Sequence, residues 1–247
     1  MERQASVLLE VCVDSIQSAV NAEAGGANRL ELCQALSEGG LTPSAGLLAV
    51  VKKAVSIPVF VLVRPRRGDF FYSDPEVEAM EIDIERLSEA DGFVFGALKA
   101  DGSVNESICR RLLAKSDGKP CVFHRAFDVS SGDAILVAKQ IAALGFVRLL
   151  TSGRAKTAVE GIETIRKLLR ESSGNLVIMP GSGVNPGNAS IFASVGCEQV
   201  HASCKRPVGS AMVFRNECCA MGDEGEDEYT RFVTEGDIVK EIVNALR

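Results

Sequence analysis

The chain has no tryptophan, only two tyrosines and only two histidines in 247 residues. Its core must therefore be built from aliphatic side chains and the eleven phenylalanines, and imidazole chemistry can come only from His124 or His201. Eight cysteines in 247 residues fall far below the density of a disulfide scaffold, and no Cys-x-x-Cys spacing occurs. A reduced, cytosolic setting is the simpler expectation. Basic charge is also scarce: 27 Lys and Arg against 33 Asp and Glu give a net charge of −6, which argues against a nucleic-acid partner. No run of about 18 apolar residues suits a membrane span. Met1 to Ser6 lacks the charged-then-apolar pattern of a signal peptide, so a soluble, cytoplasmic protein with no membrane partner is expected.

What is present is a rhythm. Short apolar runs occur at Val7–Val13, Arg29–Cys33, Val59–Val63, Gly92–Gly96, Cys121–His124, Val147–Thr151, Leu176–Met179 and Gln199–Ser203. Most are apolar at successive positions, as strands buried on both faces should be. Helical patterns separate them, the clearest placing Val159, Ile162, Ile165, Leu168 and Leu169 on one face. Thr42-Pro43, Asp74-Pro75 and Asn185-Pro186 read as capped helix starts. Gly25-Gly26, Gly145 and Gly196 read as helix ends. Eight βα units in 247 residues predict a single-domain α/β fold over 1–247, a (β/α)8 TIM barrel. An open doubly wound sheet is the alternative. Lys205 to Thr234 breaks the rhythm and reads as a long acidic loop before a last helix, Asp237 to Leu246. A solvated turn explains that loop better than a metal site, because nothing in it fixes a ligand geometry.

Active sites of such barrels lie where strands end. Those positions collect Glu10, Cys12, Asp14, Glu31, Cys33, Arg64, Arg66, Asp69, His124, Arg125, Asp128, Ser152, Gly181, Gly183, His201 and Ser203. Buried polar residues need partners, so their density points to a site. Glu10, Glu31, His124 and Asp128 are the candidates for proton transfer. Arg64 and Arg66 offer forks for a carboxylate or phosphate, or else pair with nearby acids. Gly181 and Gly183 precede Asn185-Pro186 and suit a backbone anion site, or simply a tight turn. Glu10-x-Cys12 and Glu31-x-Cys33 repeat one spacing, and strand alternation places each pair on one side of its strand, so that all four can share a face. Two thiols there suit Cu(I), a soft ion, or serve as small buried hydrophobes.

Several of these segments resemble the CutC family. They are Leu9-Glu10-Val11-Cys12-Val13-Asp14-Ser15, Arg29-Leu30-Glu31-Leu32-Cys33, Glu38-Gly39-Gly40-Leu41-Thr42-Pro43-Ser44, Arg64-Pro65-Arg66 with Gly68-Asp69-Phe70, Phe123-His124-Arg125-Ala126-Phe127-Asp128 and Leu150-Thr151-Ser152-Gly153. Phe214-Arg215-Asn216 and Asp227-Glu228-Tyr229 extend the likeness to the tail. The resemblance implies a (β/α)8 barrel, a role in copper homeostasis, a cytoplasmic homo-oligomer, and Cys12 and Cys33 as Cu(I) ligands, with no organic cofactor indicated. Arg67 stands where the family usually has glycine, and Ser182 where a smaller residue is usual. Two readings remain: a Cu(I)-binding protein, or an enzyme acting on a small anionic or phosphorylated metabolite at the same end of the barrel.

Overall fold

The computed structural model describes residues 7–171, 176–216 and 228–247. Eight parallel strands form its centre: β1 Leu8–Val13, β2 Arg29–Leu32, β3 Val59–Leu62, β4 Gly92–Phe95, β5 Cys121–Phe123, β6 Arg148–Thr151, β7 Val177–Pro180 and β8 Gln199–Ala202. They lie within about a residue of the apolar runs expected to form them. Neighbours pair in chain order from β1 to β7, and β8 returns beside β1 with Glu10 opposite His201. The sheet is a nearly closed TIM-type barrel of one domain, its remaining seam lying between β7 and β8.

Alternation along the strands separates two cores. Leu9, Val11, Val13, Leu30, Leu32, Val59 and Val61 face the surrounding helices. Phe60, Leu62, Val94, Val122, Leu150 and Met179 fill the barrel with Cys33. Without tryptophan, the largest fully buried rings among the described residues are phenylalanines. Phe146 packs edge-on against Phe123 at 5.2 Å and against Phe95 at 5.3 Å.

The helices are α1 Ile16–Ala24, α2 Ala45–Ala54, α3 Asp74–Arg86, α4 Glu106–Lys115, α5 Ala134–Leu144, α6 Ile162–Glu171, α7 Ala189–Ser194 and α8 Gly236–Ala245. At α3 Pro75 sits in the first turn as expected, but the cap is Ser73 rather than Asp74, with Glu76 accepting from the Ser73 N–H at 2.7 Å. Thr42 does not cap α2. Its hydroxyl accepts the Arg64 N–H at 2.9 Å, and Ser44 caps the helix instead. Asn185 likewise accepts from Gly187 in a local turn, so α7 begins three residues after Pro186, at Ala189. Val159 precedes α6, and the helix buries Ile165 and Leu168. Gly26, Gly145 and Gly196 all have positive φ at or just past helix ends, the conformation that favours glycine there.

Asp133 is the cleanest cap, accepting from the N–H groups of Ile135 at 2.9 Å and Leu136 at 3.0 Å. Asp133→Ala should cost about 1 kcal/mol of stability. Thermal melts check this, and an unchanged melting temperature would show that water replaces the cap fully.

The segment expected as a loop between Lys205 and Thr234 carries an antiparallel hairpin, β9 Lys205–Gly209 with β10 Thr230–Thr234. Its acidic composition hid two short strands, of which Thr230-Arg231-Phe232-Val233-Thr234 is β-prone by residue type. Asn21 donates to the Thr234 carbonyl at 2.8 Å, which ties the hairpin to α1. Asp223, Glu224, Glu226, Asp227, Cys218 and Cys219 lie outside the described residues.

Candidate functional site

Inward positions on β1, β2 and β8 are polar, whereas those on β3 to β7 are mainly apolar. Glu10 is 1% exposed and accepts from Arg29 Nε at 2.5 Å; it also meets His201 Nδ1 at 2.8 Å. Arg29 also donates to Gln199 Oε1 at 2.8 Å, and Arg148 Nε reaches the same oxygen at 2.9 Å. Both guanidiniums lie over the Phe60 ring, at 5.0 and 5.2 Å. A charged layer is therefore held rigidly beneath the mouth of the barrel.

The environment separates the two glutamates. Burial favours protonated Glu10, but the Arg29 charge and the His201 contact together hold it well below the usual carboxylate range, at about 2. Burial pushes Glu31 up to about 7; Glu10 adds to this, while His201 and Arg29 oppose it. Glu31 Oε2 is buried with no hydrogen-bond partner among the described residues. Burial opposes the charge on His201, but Cys12, Glu31 and Glu10 raise its pKa well above the ordinary value, favouring the charged ring.

The Glu31 shift gives a signed prediction. An unfolded Glu31 ionises near 4.5, whereas the folded one keeps its proton to about 7. Folding therefore loses stability as pH rises from 4.5 to 7, and the penalty stays constant above that. Glu31→Gln should remove this dependence and stabilise the protein above pH 7 by roughly 1–3 kcal/mol. Urea denaturation at pH 5 and pH 8 checks it; a variant destabilised equally at both would refute the assignment.

Above this layer a cavity of about 480 Å³ opens at the C-terminal ends of the strands. Cys12, Glu31, Arg64, His124, Asp128, Gly183 and His201 all contribute to its wall, so the sequence candidates converge in space. A larger cleft of about 600 Å³ lies at the opposite strand ends, between α6 and α7, away from the glutamate pair.

The remaining candidates fall into different places. Arg64 is 8% exposed and donates to the carbonyls of Glu38, Gly40 and Gly68 at 2.9–3.0 Å. Arg66 turns outward and pairs with Asp69 at 3.0 Å and Glu76 at 2.5 Å, outside the cavity wall. Arg67 pairs with Glu38 at 3.0 Å. Asp128 accepts from Arg125, Thr151, Ser152 and Arg154, so its oxygens serve to anchor the loop after β5. A Cβ on Gly181 would lie 2.6 Å from Leu150 and 3.3 Å from His201, so close packing requires glycine there. The Gly181 N–H is used by the Thr151 carbonyl.

Cys12 forms part of the cavity wall, with its thiol 3.6 Å from the Ala202 carbonyl. Cys33 is fully buried behind it; both its N–H and its thiol address the Val13 carbonyl, at 2.9 and 3.5 Å. Burial, with Cys12, Glu31 and Asp14 adding, pushes the Cys33 thiol far above the usual range. Ligand atoms of Glu10, Glu31 and His201 lie within 4.8 Å of one another. Arg29, paired with Glu10, adds positive charge beside that trio, which disfavours a cation there.

The family model described as the CutC family matches residues 7–206. The chain belongs to the CutC family. Among CutC relatives, the human copper homeostasis protein cutC homolog is 48% identical over 232 residues, covering 92% of this chain and 85% of its own length. A CutC family protein of Porphyromonas gingivalis is 43% identical over 243 residues, covering 97% of this chain and 98% of its own. The crystal structure of the putative copper homeostasis protein CutC from Streptococcus agalactiae superposes with a TM-score of 0.76 at 33% identity, over 80% of this chain and 98% of that one. The fold expected from the strand rhythm is thus the CutC fold.

Sequence reasoning passed over Arg29, Arg148 and Gln199 in this CutC chain. Alternation on β2 carried the signal for Arg29, since residues 29, 31 and 33 share one face. Arg148 and Gln199 open their strands, and inside the barrel they meet each other and, through Gln199, Arg29.

Proposed function

We propose that this chain takes part in copper handling by holding one Cu(I) between Cys12 and Cys33, in a reducing cytosolic setting. The observation that carries the reading is that the two thiols are near enough to influence each other's ionisation, with Cys12 on the cavity wall and Cys33 buried against the Val13 carbonyl. The relatives named for copper homeostasis support it. Cu(I) is satisfied by few, soft ligands, so two thiolates suffice. Binding releases both thiol protons and leaves a bis-thiolate complex with one negative charge. His201 beside Cys12 and Lys205 near Cys33 supply positive charge there. Copper entry runs through the cavity and meets Cys12 first. Anaerobic competition against a colorimetric Cu(I) chelator tests this. One ion per chain should bind, more tightly as pH rises toward and past the free-thiol range near about 8.5. A pH-independent affinity would reject thiol coordination.

A second reading, chemistry on a small anionic metabolite, is favoured by Glu31, a buried carboxyl poised at about 7 with one oxygen unpartnered. In that reading Arg64 faces the ligand, and Arg66 has no part, being committed to Asp69 and Glu76.

A further inference from the structure

Two side chains of the cavity wall, His124 and Arg64, each keep a donor with nothing to donate to. His124 is 4% exposed, and its Nδ1 accepts the Ala126 N–H at 3.3 Å. A neutral imidazole accepting at Nδ1 carries its proton on Nε2, and that Nε2–H is buried without a partner. Burial first, and the Arg64 charge second, push the His124 pKa down to about 3, which keeps the ring neutral. Arg64 Nε is likewise buried without a partner. Three of its other four N–H groups are spent on backbone carbonyls, and no carboxylate lies within ion-pair distance among the described residues. The two side chains flank the Phe70 ring, at 4.7 Å for His124 and 5.3 Å for Arg64, and all three form part of the cavity wall.

An uncompensated buried guanidinium and two orphaned N–H donors are each costly in a folded protein. We propose that His124 Nε2–H and Arg64 Nε–H form a subsite for the carboxylate of a small organic acid, whose apolar body lies against Leu36, Leu62, Leu150 and Val184. Two donors match the two oxygens of a carboxylate, whereas a phosphoryl group asks for more. The subsite deepens the metabolite reading by naming its ligand class, and it uses neither Cys12 nor Cys33.

With only two histidines in the chain, the imidazole ¹⁵N–¹H spectrum is simple enough to read directly. The probe is propanoate added to the full-length protein, with propanamide and inorganic phosphate as separate arms. Propanoate should saturably shift the His124 Nε2–H and Arg64 Nε–H signals, and bind at least about tenfold more tightly than propanamide. His124→Asn keeps an acceptor for the Ala126 N–H but deletes the outer donor, and should lose the response while melting near the wild-type temperature. Unshifted His124 and Arg64 signals in the wild-type protein, or saturation by phosphate alone, would overturn the subsite. Phosphate saturation would leave the broader anionic-metabolite reading standing. Propanoate binding in a protein that turns over no carboxylic acid would uphold the subsite and count against the enzyme.

Discussion

Arg29→Met should destabilise the protein by about 3–5 kcal/mol near neutral pH, the usual cost of leaving a buried charge unpaired. Arg29 bridges Glu10 and Gln199, and both members of its ion pair are nearly inaccessible, at 8% and 1% side-chain exposure. Methionine fills the stem's volume beside Phe60 but gives Glu10 no donor. The carboxyl then depends on His201 alone. The sign with pH follows from the direction of the Glu10 shift. Its pKa is depressed to about 2 from 4.5, so its contribution to stability is fully present above 4.5 and vanishes as pH falls through about 2. The variant's deficit should therefore shrink in acid. Adding Glu10→Gln to Arg29→Met should recover part of the loss, because the orphaned charge is gone. Chemical denaturation of the single and double variants reads both effects. A loss under about 1 kcal/mol for Arg29→Met would mean that water or a backbone shift already solvates Glu10.

Cys12→Ser and Cys33→Ser should each weaken Cu(I) binding by about a hundredfold or more, equivalent to about 2.8 kcal/mol. A serine hydroxyl is a hard, protonated ligand and cannot replace a thiolate for this ion. The two variants should differ in stability. Cys12 borders the cavity and tolerates the exchange, whereas Cys33 sits among Phe60, Leu62 and Leu150, where a hydroxyl has only the Val13 carbonyl to meet. Cys33→Ser should thus lose melting temperature as well as copper, and Cys12→Ser mainly copper. Cys218→Ser with Cys219→Ser serves as the control and should leave affinity nearly unchanged. Chelator competition read beside thermal melts separates these outcomes, and full affinity in a Cys12/Cys33 double variant would remove the pair from the site.

Much of this architecture was legible in the residues. Strands buried on both faces must be apolar throughout, so the eight runs stood out, and the polar exceptions within them marked the mouth of the barrel. The pairing of those polar residues was less legible. Arg64 and Arg66 sit two apart in one segment, yet one is buried against carbonyls and the other pairs on the surface with Glu76, ten residues on. Spacing gives direction along an ideal strand, but the chain leaves β3 at Leu62, before either arginine, so alternation has stopped there. The β9–β10 hairpin was hidden for a related reason. An exposed two-stranded ribbon needs no apolar pattern of its own, and its anchors to α1 are hydrogen bonds between residues more than two hundred positions apart. The unpartnered atoms of Glu31, Arg64 and His124 were invisible in the sequence, because only the finished barrel determines which donors and acceptors find no partner.

X-ray absorption at the copper edge, on the wild-type protein loaded anaerobically with one equivalent of Cu(I), tests the central claim most directly. The account predicts a Cu(I) centre whose nearest shell is two sulfurs, lost in the Cys12/Cys33 double variant. A first shell of nitrogen and oxygen, or a two-sulfur shell that survives the double variant, would contradict it.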